Sequence, residues 1–261
     1  MQAINYLRPI ADSRLTIHDM QLHIYSNPTE ISQSLAEWIT SAIETTLQQQ
    51  DRFTWVLTGG SSPKQLYELL ASSPYKERID WTKLHIFWGD ERAVPFTDDR
   101  NNAKMTYEHL LNHVPVVATQ VYKMNTDIDA DKSAAAYESV LRKYFKEDGH
   151  SFDLVLTGMG DDGHTLSLFP HTKVIHEKYA WVSAFYLEPQ QMFRITLTAP
   201  LVNRAKKIVF LTFGAGKANA VAAVLEGETN IDQYPSQIIH PVNGELHLFT
   251  DEAAAAYLKK R

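Results

Sequence analysis

Short apolar runs alternate with segments of helical periodicity along most of this chain. Runs rich in β-branched and aromatic residues predict strands at 53–58, 84–88, 152–157 and 245–250, with further strand candidates between 179 and 213. Short strands separated by helices are typical of a sheet that is covered on both faces. The pattern therefore predicts an α/β fold, with a mostly parallel sheet and helices on both faces.

The helical segments carry start signals as well as periodicity. Asn27 precedes Pro28 and Glu30, which predicts an N-cap followed by a capping box, and apolar residues then recur at helical spacing as far as Leu47. The same periodicity predicts helices at 63–71, 101–113, 131–145, 217–227 and 251–260.

Composition narrows the class of protein. The 261 residues include no cysteine, which excludes disulfides, thiolate metal sites and a cysteine nucleophile. A net charge of −6 argues against general affinity for nucleic acid, so an anion site must gather its cations locally. Neither an apolar run of about 20 residues nor a signal-peptide pattern is present. These features predict a cytoplasmic protein with no nucleic-acid or membrane partner, and they leave its oligomeric state open.

A glycine motif follows the strand at 152–157, and functional groups of such sheets lie beyond the carboxyl ends of the strands. Residues 158–163 have the spacing G-x-G-x-x-G, the dinucleotide-binding fingerprint when a long helix follows and holds a pyrophosphate. Here Asp161 and Asp162 stand at the place of the anion, and the following segment reaches Pro170 within about two helical turns. The context argues against a dinucleotide cofactor.

The same loop ends in the tripeptide Asp162-Gly163-His164. An aspartate two residues before a histidine can hydrogen-bond the imidazole and fix its tautomer, which leaves the other nitrogen as a general base. The alternative is that Asp162 is a turn residue and His164 caps a short helix. The tripeptide alone favours this structural alternative, and the other strand ends bear on the choice.

The strand at 53–58 is followed by the stretch Gly59-Gly60-Ser61-Ser62-Pro63. Glycines allow close backbone approach, serines offer hydroxyls, and a helix that starts at the proline directs free N–H groups at the loop, as in an anion site. No G-K-[ST] follows, so this is not a nucleoside-triphosphate loop. A tight turn with a Ser62 cap is the alternative, and both interpretations remain open.

Charged residues follow two further strands. Asp90, Glu91 and Arg92 come directly after the strand at 84–88, where a solvated cluster is the ordinary interpretation of such a run. Arg194 opens a later strand, and Lys217 lies at a helix start, where a cation opposes the helix dipole. An anionic ligand shared with the glycine loop explains why a lysine stands there.

Four stretches, taken together and in order, resemble the glucosamine-6-phosphate isomerase/6-phosphogluconolactonase family. They are LTGGSSPKQLYELL, WGDERAVPFTDDRNNAKMTYEHLL, FDLVLTGMGDDGHTLSLFPH and FRITLTAPLVNRAKKIVFLTFGAGKANAV. The resemblance implies one domain over 20–261 with a modified Rossmann-like sheet, preceded by an extension, 1–19, of unknown role.

The resemblance also implies an activity, the hydrolysis of 6-phospho-D-glucono-1,5-lactone in the oxidative pentose phosphate pathway. It implies that the 59–62 loop, Arg194 and Lys217 hold the sugar phosphate and that His164 activates water. We expect Asp162 to orient the imidazole, with no metal or cofactor.

Three more residues are expected to contact the substrate. Arg92 is expected to bind the sugar or stabilise developing negative charge. Asp90 is expected beside the substrate, and the Gly160 N–H is a candidate oxyanion donor.

Two other functions remain open. Deaminases of the same family carry a glutamate immediately before the proline that ends the D-G-H motif, whereas this chain has Phe169 before Pro170. This difference favours the lactonase. Asp90 matches the catalytic base of the deaminases, but its presence does not distinguish the deaminase from the lactonase. A catalytically idle sugar-phosphate sensor is the third possibility, against which the intact Asp162 and His164 argue.

Overall fold

The computed structural model describes residues 20–146 and 149–259; the expected extension, 1–19, lies outside them. The strands within these residues are β1 (Met20–Tyr25), β2 (Phe53–Leu57), β3 (Leu84–Trp88), β4 (Asp90–Arg92), β5 (Val121–Tyr122), β6 (Leu154–Thr157), β7 (Val182–Leu187), β8 (Met192–Leu197), β9 (Lys207–Leu211) and β10 (Glu245–Asp251). Seven of them form one parallel sheet in the order β1-β10-β9-β6-β2-β3-β5. The predicted mostly parallel sheet is confirmed.

The helices are α1 (Pro28–Leu47), α2 (Lys64–Leu70), α3 (Tyr75–Arg78), α4 (Asn102–His109), α5 (Ala130–Tyr144), α6 (Ala199–Val202) and α7 (Ala218–Glu226). The start of α1 follows the prediction, because Asn27 Oδ1 accepts a hydrogen bond from the Glu30 N–H at 3.0 Å. Glu30 reaches back to the N–H of Ser26. Among the described residues, no helix is long and apolar enough to cross a bilayer.

Helices cover both faces of the parallel sheet, as predicted. Alternate residues of a strand point to opposite faces. On β6, Leu154 and Leu156 are buried in a cluster with residues of α1, α2 and α4, whereas Val155 is buried in a second cluster with residues of α5 and α7. Each face of the sheet thus has its own apolar core.

Three strands form a separate antiparallel sheet in the order β4-β8-β7. The strand candidates between 179 and 213 did not distinguish this small sheet from the parallel one. Its apolar side chains, including Val182, Ile195 and Leu197, join the core cluster that contains α5 and α7. The small sheet therefore extends one layer of the domain.

The predicted closing helix at 251–260 is wrong for the residues that the structure describes. Turns occupy 252–257 after β10. The carboxylate of Asp251, the last residue of β10, accepts hydrogen bonds from the N–H groups of Gly214 and Ala254. These contacts turn the chain at the strand end and fix it against the neighbouring loop.

The position of the site follows from the order of the strands. From β2 the chain continues through α2 to β3 on one side, whereas from β6 it continues to β9 and then β10 on the other side. The loops that leave the carboxyl ends of the neighbouring strands β2 and β6 therefore turn away from each other. A crevice opens between them, and α/β sheets bind their ligands in such a crevice. The 59–62 loop and the D-G-H loop are these two loops.

Candidate active site

A cavity of about 170 Å³ opens in this crevice. Its lining residues are Thr58, Gly59, Gly60, Asp90, Arg92, Asn102, Gly158, Met159, Gly160, His164, Leu166, Arg194 and Lys217. The structure thus brings together most of the residues that the sequence singled out. Of that set, Ser61, Ser62 and Asp162 are not part of the lining.

Asp162 lies directly behind the imidazole of His164. Its Oδ1 is 2.5 Å from His164 Nδ1 and accepts the His164 backbone N–H at 3.1 Å. This contact places the ring proton on Nδ1 and the lone pair on Nε2, and Nε2 has no hydrogen-bond partner among the described residues. Nε2 is therefore available to a water molecule in the cavity.

The ionisation of Asp162 is fixed by the same contacts. Partial burial by itself raises the pKa of the Asp162 carboxyl, but the hydrogen bonds from the His164 imidazole and N–H, together with attraction to the imidazolium, bring that pKa below its ordinary value. Asp162 is therefore a carboxylate throughout the range in which histidines ordinarily titrate.

Gly160 lets the imidazole pack against the backbone. A Cβ at this position would lie 2.1 Å from His164 Nδ1 and 2.5 Å from Asp162 Oδ1, far inside van der Waals contact. The Gly160 N–H donates to the His164 carbonyl oxygen at 2.8 Å. This corrects the expectation for that N–H, because a donor already engaged within the loop is not free for an oxyanion.

The 59–62 loop lines the cavity through Gly59 and Gly60. The N–H groups of its four residues form no hydrogen bonds with other described residues, and Gly60 has the left-handed φ of 87° that favours glycine. Ser61 is exposed, and α2, which has no side-chain cap, spans only seven residues. The Ser62 cap that was the alternative for this stretch is therefore not formed, and the free donors of the loop are backbone groups.

The small antiparallel sheet brings two guanidinium groups to the site. Asp90 and Arg92 share one face of β4, and Arg92 is paired with Arg194 of β8 in the register. Arg92 donates from Nη1 to the Arg100 carbonyl oxygen at 2.8 Å, whereas its buried Nε has no partner among the described residues. Arg92 therefore keeps unused donors beside the cavity.

Arg194 is held by protein partners. It is 2% exposed and donates to Ser167 Oγ at 2.9 Å, Gln190 Oε1 at 2.9 Å and Asp90 Oδ2 at 3.3 Å. Burial lowers the pKa of the Arg194 guanidinium, and Asp90 counteracts this shift while Arg92 adds to it. Two guanidiniums, of Arg92 and Arg194, and the Asp90 carboxylate thus meet at this corner of the cavity.

Lys217 completes the positive lining from the other side. It lies in a short 3-10 helix that leads directly into α7, and its Nζ is 2.5 Å from Asp161 Oδ1. This ion pair joins the D-G-H loop to the loop after β9. Asp161 also offsets the unfavourable charge of a lysine at the start of a helix.

Asn102, which the sequence did not single out, lines the cavity, and Glu91, which a solvated cluster would expose, is buried beside it. The Asn102 amide donates to the Asp90 carbonyl oxygen at 2.9 Å, and its Oδ1 lies so close to Gly59 that a Cβ there would be 1.8 Å away. The buried Glu91 carboxylate accepts the N–H groups of Asn102 and Ala103 at 2.7 and 2.8 Å. Glu91 thereby fixes the start of α4, and with it the position of Asn102.

Residues 26–248 match the model of a family described as glucosamine-6-phosphate isomerases/6-phosphogluconolactonase. This match covers most of the chain, so the chain belongs to that family and the resemblance found in its motifs is confirmed.

Individual relatives are similar to this chain over most of its length. The 6-phosphogluconolactonase of Synechocystis sp. is 37% identical over 225 residues, which is 85% of this chain and 91% of the relative. The structure of 6-phosphogluconolactonase from Trypanosoma brucei is 26% identical, with a TM-score of 0.80 over 92% of this chain and 98% of that one. A monomeric glucosamine-6-phosphate deaminase has a TM-score of 0.78 over 91% of this chain and 99% of that one, at 18% identity, which shows the shared fold alone.

The close contact at Gly160 yields a prediction. Gly160→Ala is expected to displace the imidazole from Asp162 and to lower the free energy of unfolding by about 1–3 kcal/mol, because overpacking forces side chains from their positions. Gly158→Ala is the control, since its Cβ would meet only the Leu211 carbonyl oxygen at 3.7 Å. Crystal structures and denaturant unfolding measure both effects, and an unmoved His164 in Gly160→Ala contradicts the prediction.

Proposed function

We propose that this protein hydrolyses 6-phospho-D-glucono-1,5-lactone to 6-phospho-D-gluconate, in the cytoplasm and without a metal or nucleotide cofactor. The observation that carries the proposal is the pair of Asp162 and His164 at a cavity lined by cationic side chains, in which the imidazole Nε2 has no hydrogen-bond partner among the described residues. The names of the Synechocystis and Trypanosoma brucei proteins support the same substrate.

The proposed reaction begins at His164. Its Nε2 removes a proton from water as the water oxygen attacks the lactone carbonyl carbon, C1, and a tetrahedral intermediate forms. The bond from C1 to the ring oxygen then breaks, and protonated Nε2 returns its proton to that oxygen, which becomes a hydroxyl. The carboxylic acid product loses its proton to solvent. The Asp162 carboxylate holds the imidazole in the required tautomer and stabilises its cationic form.

Charge in the cavity suits the anionic end of this substrate. A phosphate dianion needs backbone N–H donors and cations, and the 59–62 loop, Lys217 and the unused donors of Arg92 provide them. Arg194 has fewer free donors than the sequence suggested, because three protein groups already accept from it. We assign Arg194 to shaping the phosphate end and Lys217 to direct contact.

The deaminase alternative is less well supported by the local contacts. Phe169 replaces the glutamate expected in that motif, and the Asp90 carboxylate, which matches the deaminase base, already accepts from Ser167 and Arg194. The Asp90 carboxylate is thus held in a structural contact with Arg194. The sensor alternative predicts product binding without turnover.

One assay separates these functions. Purified protein receives freshly generated 6-phosphogluconolactone or glucosamine 6-phosphate, with acid and ammonia release recorded in the presence and absence of a chelator. We expect acid release from the lactone above its spontaneous hydrolysis, unaffected by the chelator, and no ammonia. Ammonia release identifies a deaminase, and binding without turnover identifies a sensor.

The base is tested by substitution. His164→Ala is expected to lower kcat by about 10²–10⁴-fold, the usual contribution of a positioned base, while the binding of 6-phosphogluconate changes little. Asp162→Asn is expected to lose less, because the imidazole remains but its tautomer is no longer fixed.

The pH dependence tests the same assignment. In the parent, kcat/KM is expected to fall toward acid pH, because a protonated imidazole cannot accept a proton from water. The lowered pKa of Asp162 keeps that carboxyl ionised over this range, so Asp162 does not contribute to the fall. Stopped-flow rates corrected for spontaneous hydrolysis provide the measurement. A folded His164→Ala protein with parental kcat places the base elsewhere.

Lys217→Ala tests the phosphate assignment. Loss of one charged hydrogen bond is worth about 1.5–3 kcal/mol, so KM and the Kd of 6-phosphogluconate are expected to rise roughly 10- to 150-fold. Lys143→Ala removes the same charge from the exposed face of α5 and is expected to leave both constants unchanged. Calorimetric titration with the product gives Kd, and parental affinity in Lys217→Ala refutes the assignment. Arg194→Ala is a less direct test, since it leaves Asp90 buried without its partner.

A further inference from the structure

Phe169 lies against the imidazole of His164 although it does not line the cavity. The two rings stack with centroids 4.1 Å apart and an interplanar angle of 26°. On the same phenyl ring, the Arg194 guanidinium carbon lies 5.4 Å from the centroid. Phe169 is only 8% exposed, and its ring contacts both groups.

The backbone around Phe169 is built to hold the ring there. Leu166 and His171 have left-handed φ values of 53° and 60°, a conformation that is uncommon for residues other than glycine and persists only where the surroundings impose it. Thr172 donates to the Phe169 carbonyl oxygen from both its N–H and its hydroxyl. Thr165 and Leu168 form an antiparallel bridge. The tight turn between them brings the next residue, Phe169, back beside His164.

We propose that Phe169 is a positioning residue for the general base, holding the plane of the imidazole with Nε2 toward the cavity. This inference rests on the proposed function. The Asp162 hydrogen bond fixes one atom of the ring and leaves rotation about that contact, whereas a flat stacking partner fixes the plane. An aromatic face also attracts the imidazolium that forms during the reaction.

Replacing the ring tests the proposal. Phe169→Leu is expected to lower kcat roughly 10- to 100-fold, because a slightly misplaced base costs this much, while KM changes less than about twofold. The acid-side midpoint of kcat/KM is expected to move about half a pH unit lower, since the imidazolium loses an aromatic face. Phe169→Tyr keeps the stack and is expected to retain the parental kcat and midpoint.

The substitutions at Phe169 change none of the charged residues near the imidazole, so a shifted midpoint reports the loss of the ring. These charged residues are Asp90, Arg92, Asp161, Asp162, Arg194 and Lys217. Phe145→Leu is the matched control, because Phe145 is also 8% exposed and makes an edge-to-face contact with the ring of Phe152 in the core. It is expected to lower the melting temperature without changing kcat or the midpoint. Phe169→Met provides the same test as Phe169→Leu if the leucine variant does not fold.

A second measurement is independent of the reaction. The imidazole of His164 is titrated by NMR, with its signal identified among the 11 histidines by its loss in His164→Gln, and its midpoint is expected to fall in Phe169→Leu. A parent that does not hydrolyse the lactone refutes the proposed function, and the NMR titration still decides the role of Phe169. Folded Phe169→Leu with the parental kcat and midpoint overturns the inference, as does a tyrosine variant as impaired as the leucine one.

Discussion

The buried ion pair between Asp90 and Arg194 is the interaction on which the geometry of the site depends. Removing one partner of such a pair leaves an uncompensated charge, at a cost of about 3–5 kcal/mol. Both side chains are less than a tenth exposed, so each needs further partners, and Ser167 bridges them. Because Ser167 follows the D-G-H loop closely in sequence, the ion pair connects the small antiparallel sheet to the segment that carries the histidine.

A second constraint is the electrostatic balance of a chain with a net charge of −6. The fold gathers cations from distant parts of the sequence at one crevice, beside the N–H groups of Gly59 and Gly60, which have no partner in the part of the chain that the structure describes. Each cation has a protein acceptor near it, namely the Arg100 carbonyl oxygen for Arg92, Asp90 for Arg194 and Asp161 for Lys217. Arg194 and Lys217 are therefore balanced by carboxylates, whereas the charge of Arg92 faces only a neutral carbonyl oxygen.

Local sequence predicts those parts of the site that depend on strand ends. Glycines, a helix start and charged residues after apolar runs are visible within a few positions, and the parallel topology brings them together. The partners of Arg194 show where this information ends. Gln190 lies 4 positions away, but Ser167 and Asp90 lie 27 and 104 positions away. Tertiary contacts therefore determine that the donors of the Arg194 guanidinium are already engaged by protein groups. They also place the Asn102 side chain against Gly59.

Asp161 acts on Lys217 as a tethered competitor for anions. Because both belong to one chain, the carboxylate is present at a fixed and high effective concentration, and a dissolved anion reaches the ammonium group only by displacing it. A dilute monocarboxylate brings no more charge than the group it must replace, so it gains little. A phosphate dianion brings more charge and more acceptor oxygens. If Lys217 binds an anion, as proposed, its exposed ion pair therefore favours a dianion over a monoanion.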